Sequence, residues 1–157
     1  MICLSAKLIL GDHIITFGKA EFITVNCKLI IKRIILMTDS ILRTKSKDFA
    51  KSTVLLCRKL KKRGTEAVLV NQLLRSGTSV GANIHEAQYA QGTKDFISKF
   101  EIALKECNES EYWLELLIET DSIDKTDYKT MQEKCIELRR MLVSSVKTLK
   151  EKNQERL

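Results

Sequence analysis

From Phe96 to Leu117 the residues Phe96, Phe100, Ala103, Cys107, Ser110, Leu114 and Leu117 follow one another at alternating spacings of 4 and 3. An α-helix, with about 3.6 residues per turn, gathers such positions on one face, whereas a strand gathers every second residue. The seam runs for about six turns, so whatever covers it must be similarly long. Nothing in the chain cuts such rods short. The 157 residues contain no proline, where average usage of about 5% would give roughly eight. Glycine occurs only 6 times. A sandwich or barrel needs turns rich in these residues and is excluded. At 44% hydrophobic residues, the chain has too much to bury to stay disordered. No run of about 18 apolar residues exists to span a membrane.

Three further seams accompany the first. Phe49, Thr53, Leu56 and Leu60 mark a helix over about 45–63, which Gly64 is placed to stop. Leu69, Leu73, Val80, Ile84 and Ala87 mark a second over about 66–91. The third covers about 94–120, with Gly92 as the preceding stop, Thr93 as its N-cap and Asp95 in its first turn. Met131, Cys135, Leu138, Leu142, Ser145 and Leu149 mark a fourth over about 125–152, capped by Ser122 or Asp124. Four long helices on short loops predict an all-α, antiparallel up-down-up-down four-helix bundle over residues 37–157. No internal repeat or low-complexity segment is present.

Residues 1–36 do not match this pattern. They hold nine isoleucines in β-branched runs with no helical period, and after Met37 the text turns to charged, helix-forming sequence. The runs read as short strands, and isolated hairpins are marginal in water. The expectation is a poorly ordered or non-native extension, translation starting at Met37. N-terminal sequencing of native protein tests it. A secretory signal fits poorly, because Asp12 and Glu21 interrupt the segment and no cleavage site follows.

The formal net charge is +7, and it falls to +4 without residues 1–36. Cys3, Cys27, Cys57, Cys107 and Cys135 lie at least 24 residues apart. Zinc and redox motifs use close pairs, so neither a metal site nor a disulfide framework is expected. Buried thiols in a reducing cytoplasm are the plain reading. Helix one concentrates the charge, with eight cations against Asp48 alone between Lys45 and Arg63. Lys47, Lys51, Arg58 and Lys62 share a stripe nearly opposite the apolar seam; with Lys59 and Arg63 they are the candidate contacts to RNA or DNA phosphates. The competing account docks helix one, within or between subunits, beside helix three, which carries seven acids against three lysines over 94–119. The stripe holds no aromatic residue, which argues against stacking on single strands.

Helix two carries a polar stripe, Gln72, Arg75, Ser79, Asn83 and Glu86. Gly77 and Gly81 lie nearer its apolar side and admit another backbone closely. The stripe faces either a ligand or, as favoured here, a neighbouring helix or subunit, with Arg75 on a carboxylate such as Glu86, Glu106 or Glu109. On helix three, Ile102, Trp113 and Leu116 lie opposite the seam. They form either a surface for a second copy, which Val54 and Leu55 could join, or an edge of the same core.

These segments are identifiable. Residues 73–87 (Leu73, Leu74, Arg75, Ser76, Gly77, Thr78, Ser79, Val80, Gly81, Ala82, Asn83, Ile84, His85, Glu86, Ala87) resemble the 23S rRNA intervening-sequence protein family. So do Lys94 to Phe96, Ala103 to Glu109 with Glu106, Asn108 and Glu109, and Tyr112 to Leu117 around Trp113. Weaker similarity extends over about 37–150, and family sequences begin near Met37. The resemblance implies a bundle assembling as a ring-like homo-oligomer, a pentamer, with Arg75, Gly77, Ser79, Gly81, Asn83, Glu86, Glu106, Asn108, Glu109 and Trp113 as its structural signature. The chain is also similar to the accessory proteins of diversity-generating retroelements, which bind nucleic acid. His85 stands where a basic residue is common in the family. Glu111 departs from the family pattern and puts a carboxylate near the apolar seam.

The resemblance brings no catalytic residues, and the residues supply none. A di-iron bundle needs Glu-x-x-His pairs, but Ala82 stands three before His85, and His13 and His85 are the only histidines. Gly77 to Gly81 lacks the Gly-Lys-Ser/Thr of a phosphate loop. The expectation is a non-enzymatic protein with no cofactor, metal, membrane or small-molecule substrate. It binds itself and RNA or DNA, or serves as a protein scaffold.

Overall fold

The computed structural model describes the backbone of residues 5–10 and 13–154 and the side chains of residues 41–151. Two compact units divide at Ser40 and Ile41. In the first unit, strand β1 (Ser5–Leu10) pairs antiparallel with β2 (His13–Gly18), in a register running from Ser5 opposite Gly18 to Leu10 opposite His13. Helix α1 then runs Lys19–Lys62, starting well before the expected 45. Neither glycine nor proline occurs between Gly18 and Gly64. The isoleucines each disfavour a helix by only a few tenths of a kcal/mol, so nothing stops the backbone ladder.

In the second unit, α1 is followed by α2 (Ala67–Glu86), a 3-10 turn (Ala87–Tyr89), α3 (Thr93–Glu119) and α4 (Lys125–Gln154). Cross-contacts fix their directions. Thr53 and Ser46 of α1 face Gly77 and Gly81 of α2, and Lys59 and Lys45 of α1 reach Asp127 and Glu137 of α4. Arg75 and Glu86 of α2 reach Glu109 and Lys99 of α3. In each pair, advancing along one helix retreats along the other. The four helices therefore alternate up and down, with α1 between α2 and α4.

The seams point inward as read. Phe49, Thr53, Leu56, Leu60, Leu73, Val80, Ile84, Phe100, Ala103, Cys107, Leu114, Leu117, Met131, Cys135, Leu138 and Leu142 are all buried. Leu69, Phe96, Ser145 and Leu149 are half-buried at the margin, where Val70, Ile97 and Val146 close the core instead. Gly64 ends α1 at φ 81°, with Thr65 N–H donating to the Leu60 carbonyl and Gly64 N–H to that of Lys61. Asp121 ends α3 the same way at φ 53°, with Ser122 N–H on Leu117 and Asp121 N–H on Ile118.

One end differs from expectation, and a second resolves an open choice. Thr93 is the first residue of α3 rather than its cap; Asp95 reaches back to accept from Gln91 N–H at 3.1 Å. At the head of α4 the cap is Asp124, which accepts from Asp127 N–H at 2.8 Å.

Candidate nucleic-acid interface

The six candidate cations, together with Lys45, divide into two sets according to what stands beside them. Toward α4 every one is engaged. Lys45 Nζ lies 2.7 Å from Glu137, and Lys59 bonds both Asp124, at 2.9 Å, and Asp127. Arg63 approaches Asp124 at 3.5 Å. Asp48, the one acid of this stretch, takes Lys134 of α4 at 2.6 Å. These pairs register in the titration of the groups. The hydrogen bonds that Lys59 donates to Asp127 and Asp124 hold its ammonium above the ordinary value. Asp124 is held low, by the Asp127 N–H first and Lys59 second, and Asp48 by Lys134.

Lys47, Lys51, Arg58 and Lys62 are exposed on the outer edge, and none has a carboxylate within ion-pair distance among the described residues. Of the six candidate contacts, the structure thus leaves four uncommitted and assigns Lys59 and Arg63 to the head of α4. At about 100° per residue the two lie on the α4 flank of the helical wheel, which is the sequence signal for that difference. Leu55 sits among the free cations, 53% exposed. With Arg58, Lys59, Lys62 and Arg63 it lines a shallow depression.

The docking of helix one on acidic helix three is not what neutralises α1 within the chain. No ion pair among the described residues joins α1 to α3, because the order around the bundle puts α2 and α4 beside α1. The carboxylates of α3 go elsewhere: Glu106 and Glu109 to Arg75, Glu111 to Arg139 at 3.3 Å, and Glu101 to Lys150 at 2.6 Å. Arg139 is the partner that Glu111 lacked in the sequence.

The signature residues tie α2 to its neighbours. Arg75 donates to Glu109, lies 3.7 Å from Glu106 and bonds Gln72 at 3.2 Å. Glu86 takes Lys99 at 2.6 Å rather than Arg75. Burial outweighs Arg75 at Glu106 and raises its carboxyl above the ordinary value, and Oε2 is buried without a hydrogen-bond partner. Asn83 donates to the Ser79 carbonyl at 2.9 Å, and Asn108 is exposed. Gly77 and Gly81 bring α1 close: a Cβ on Gly77 would stand 2.7 Å from Thr53 Cγ2, and one on Gly81 3.4 Å from the Ser46 carbonyl oxygen.

Trp113 is half-buried against the core, its Nε1 donating to Glu109 at 3.2 Å and its ring edge-on to Tyr112. Leu116 is half-buried, while Ile102, Tyr112 and Val143 are exposed. The second side of α3 is therefore divided, Trp113 covering the core and Ile102 facing out.

Two buried pairs carried no usable signal in sequence spacing. Ser110 Oγ and Ser76 Oγ meet at 3.0 Å between α3 and α2. Cys107 Sγ and Cys135 Sγ meet at 3.4 Å between α3 and α4. Cys57 stands apart from them, its thiol donating to the Val70 carbonyl and pushed up to about 11 by burial. Among the described residues no cluster of three or more His, Cys, Asp or Glu could hold a metal ion. No described helix is long and apolar enough to cross a membrane.

Residues 38–144 match the family model described as 23S rRNA-intervening sequence protein. A solved structure from Bacteroides thetaiotaomicron, a protein of unknown function from the S23 ribosomal protein family, is similar at 46% identity and a TM-score of 0.68. The match covers 70% of this chain and 98% of that one. No curated protein matches.

Proposed function

Since the chain belongs to the 23S rRNA-intervening sequence protein family, we propose that it works without catalysis, by laying the outer edge of α1 along the phosphate backbone of RNA or DNA. The observation behind this reading is the selective neutralisation of α1. Acids of α4 and its leading turn engage one flank, while Lys47, Lys51, Arg58 and Lys62 stay free. At about 1.5 Å rise per residue these four form a ridge roughly 22 Å long. A ridge without aromatic side chains favours phosphate contacts over base stacking, so binding is tolerant of sequence.

Four phosphate contacts give a slope of log affinity against log salt of about −3.6 on duplex DNA, or roughly 150-fold weaker binding at 200 mM than at 50 mM salt. Self-association multiplies the ridge. In the proposed homo-oligomer, a pentamer in the family reading, copies meet through the exposed Ile102 side of α3, and several ridges engage one polymer with raised avidity. A salt titration against structured RNA and duplex DNA, run beside a solution mass measurement, tests both parts. Replacing Lys47, Lys51, Arg58 and Lys62 by Gln should flatten the slope. Absence of binding at about 50 mM salt overturns the reading in favour of a protein scaffold. The exposed Ile102, Tyr112 and Val143 support that second reading.

A further inference from the structure

Cys107 and Cys135 are separated by 28 residues in sequence, and the antiparallel packing of α3 on α4 brings their sulfurs to 3.4 Å. Both are wholly buried. Each thiol also reaches the other residue's carbonyl, at 3.4 Å from Cys107 and 3.3 Å from Cys135. Each sulfur thus has the opposite cysteine as its polar surroundings, and both are free thiols. We propose that Cys107 and Cys135 form a dithiol site that hydrogen peroxide oxidises to a disulfide, stapling α3 to α4.

A disulfide requires the sulfurs to close to about 2.05 Å. From 3.4 Å that is an approach of about 1.3 Å, shared between the two side chains and the helices that carry them. The oxidant must be small. Hydrogen peroxide is little larger than water and can enter a core that excludes a peptide disulfide. Either thiol can donate to the other sulfur, and the accepting sulfur is readied to attack; with Cys135 as the donor, Cys107 attacks first, its titration lowered by that bond.

The Cys107 sulfur attacks one peroxide oxygen, the O–O bond breaks, and a sulfenic acid and one water form. Cys135 sulfur then attacks the Cys107 sulfur. The S–S bond forms, the S–O bond breaks, and the hydroxyl leaves with the Cys135 proton as a second water. Two thiols and one peroxide give one disulfide and two waters, the two electrons passing from sulfur to oxygen. Cys57 bonds the Val70 carbonyl and has no second thiol beside it among the described residues, so it cannot complete the second step. The product closes the α3–α4 hairpin into a covalent ring, which restricts the unfolded chain more than the folded one.

The test is peroxide treatment of the full chain in native buffer, followed by alkylation and a non-reducing peptide map. The expected result is a fragment linking Cys107 to Cys135, an intact mass lower by two hydrogens, and a melting temperature higher by about 10 °C. A thiol reductant applied to the unfolded chain reverses the link and the mass change, and refolding restores the original melting temperature. In Cys135→Ser the reaction should stop at the sulfenic acid, and a 1,3-dione added as the oxidised chain is unfolded should label Cys107. The wild-type map needs no variant to fold. A map without the linked fragment overturns the proposal, as does a linked fragment that forms only after denaturation.

Discussion

Gly77 makes the tighter of the two glycine contacts of α2 with α1, and filling it measures how tightly the two helices are held. A Cβ there would lie 2.7 Å from both Cγ2 and Oγ1 of Thr53 and 3.1 Å from its Cβ. Rotating Thr53 relieves at most the first two contacts, because its Cβ is fixed by the backbone. Thr53 Oγ1 is also held, donating to the Phe49 carbonyl at 2.9 Å in the buried interior. Ordinary carbon contacts are about 3.5–4.0 Å, so α1 and α2 must part by roughly half an ångström. One turn on, Gly81 meets the Ser46 carbonyl oxygen at 3.4 Å, so the separation loosens a neighbouring layer as well.

Overpacking of this kind costs about 1–3 kcal/mol, and the upper end applies when both helices must move. Alanine returns about 1 kcal/mol through helix propensity, leaving a net loss of roughly 2 kcal/mol for Gly77→Ala. Gly81→Ala meets only ordinary contact and should gain about 0.5–1 kcal/mol from the same propensity. Urea unfolding of both variants, with unchanged slope, reads these differences directly. Thr53→Ala should recover part of the Gly77→Ala loss in the double variant. Gly77→Ala as stable as the parent would refute the close approach of α1 and α2.

Arg75→Ala should lower the melting temperature by less than Gly77→Ala does, because its pairing with Glu109 is exposed and screened; an unchanged melting temperature and an unchanged oligomer would count against the seam. Burial raises Glu106 in the folded state. Its contribution to stability is therefore fully present below the unfolded value of about 4.3 and is lost as pH rises through the higher folded value. Unfolding measured across pH should show the parent losing ground to Glu106→Gln from acid to neutral pH, and parallel curves would refute it. Asp121 closes α3 at φ 53°, so Asp121→Gly should stabilise the fold by about 1 kcal/mol, read by thermal unfolding.

The four helices, their inward faces and most of their ends were legible in the chain, because helix period and apolar spacing are local properties. Phe49 to Leu60 and Phe100 to Leu117 could be placed from spacing alone, and the resemblance over 73–118 named the family that the comparison confirmed. The start of α1 was not legible. β-branched residues weaken a helix without terminating it, and no glycine or proline between Gly18 and Gly64 marks a boundary. The site was half legible. The basic stripe follows from the wheel, but its division into spent and free cations depends on Asp124 and Asp127, some 65 residues away from Lys59.

Local pattern thus determined what each segment is and which side it hides. Tertiary packing decided who meets whom: Lys59 with the head of α4, Arg75 with Glu109 rather than Glu86, Cys107 with Cys135. The physical reason is range. Backbone hydrogen bonds and apolar periodicity act within a few residues, whereas an ion pair or a sulfur contact needs two side chains within about 4 Å, and the folded bundle alone sets that distance.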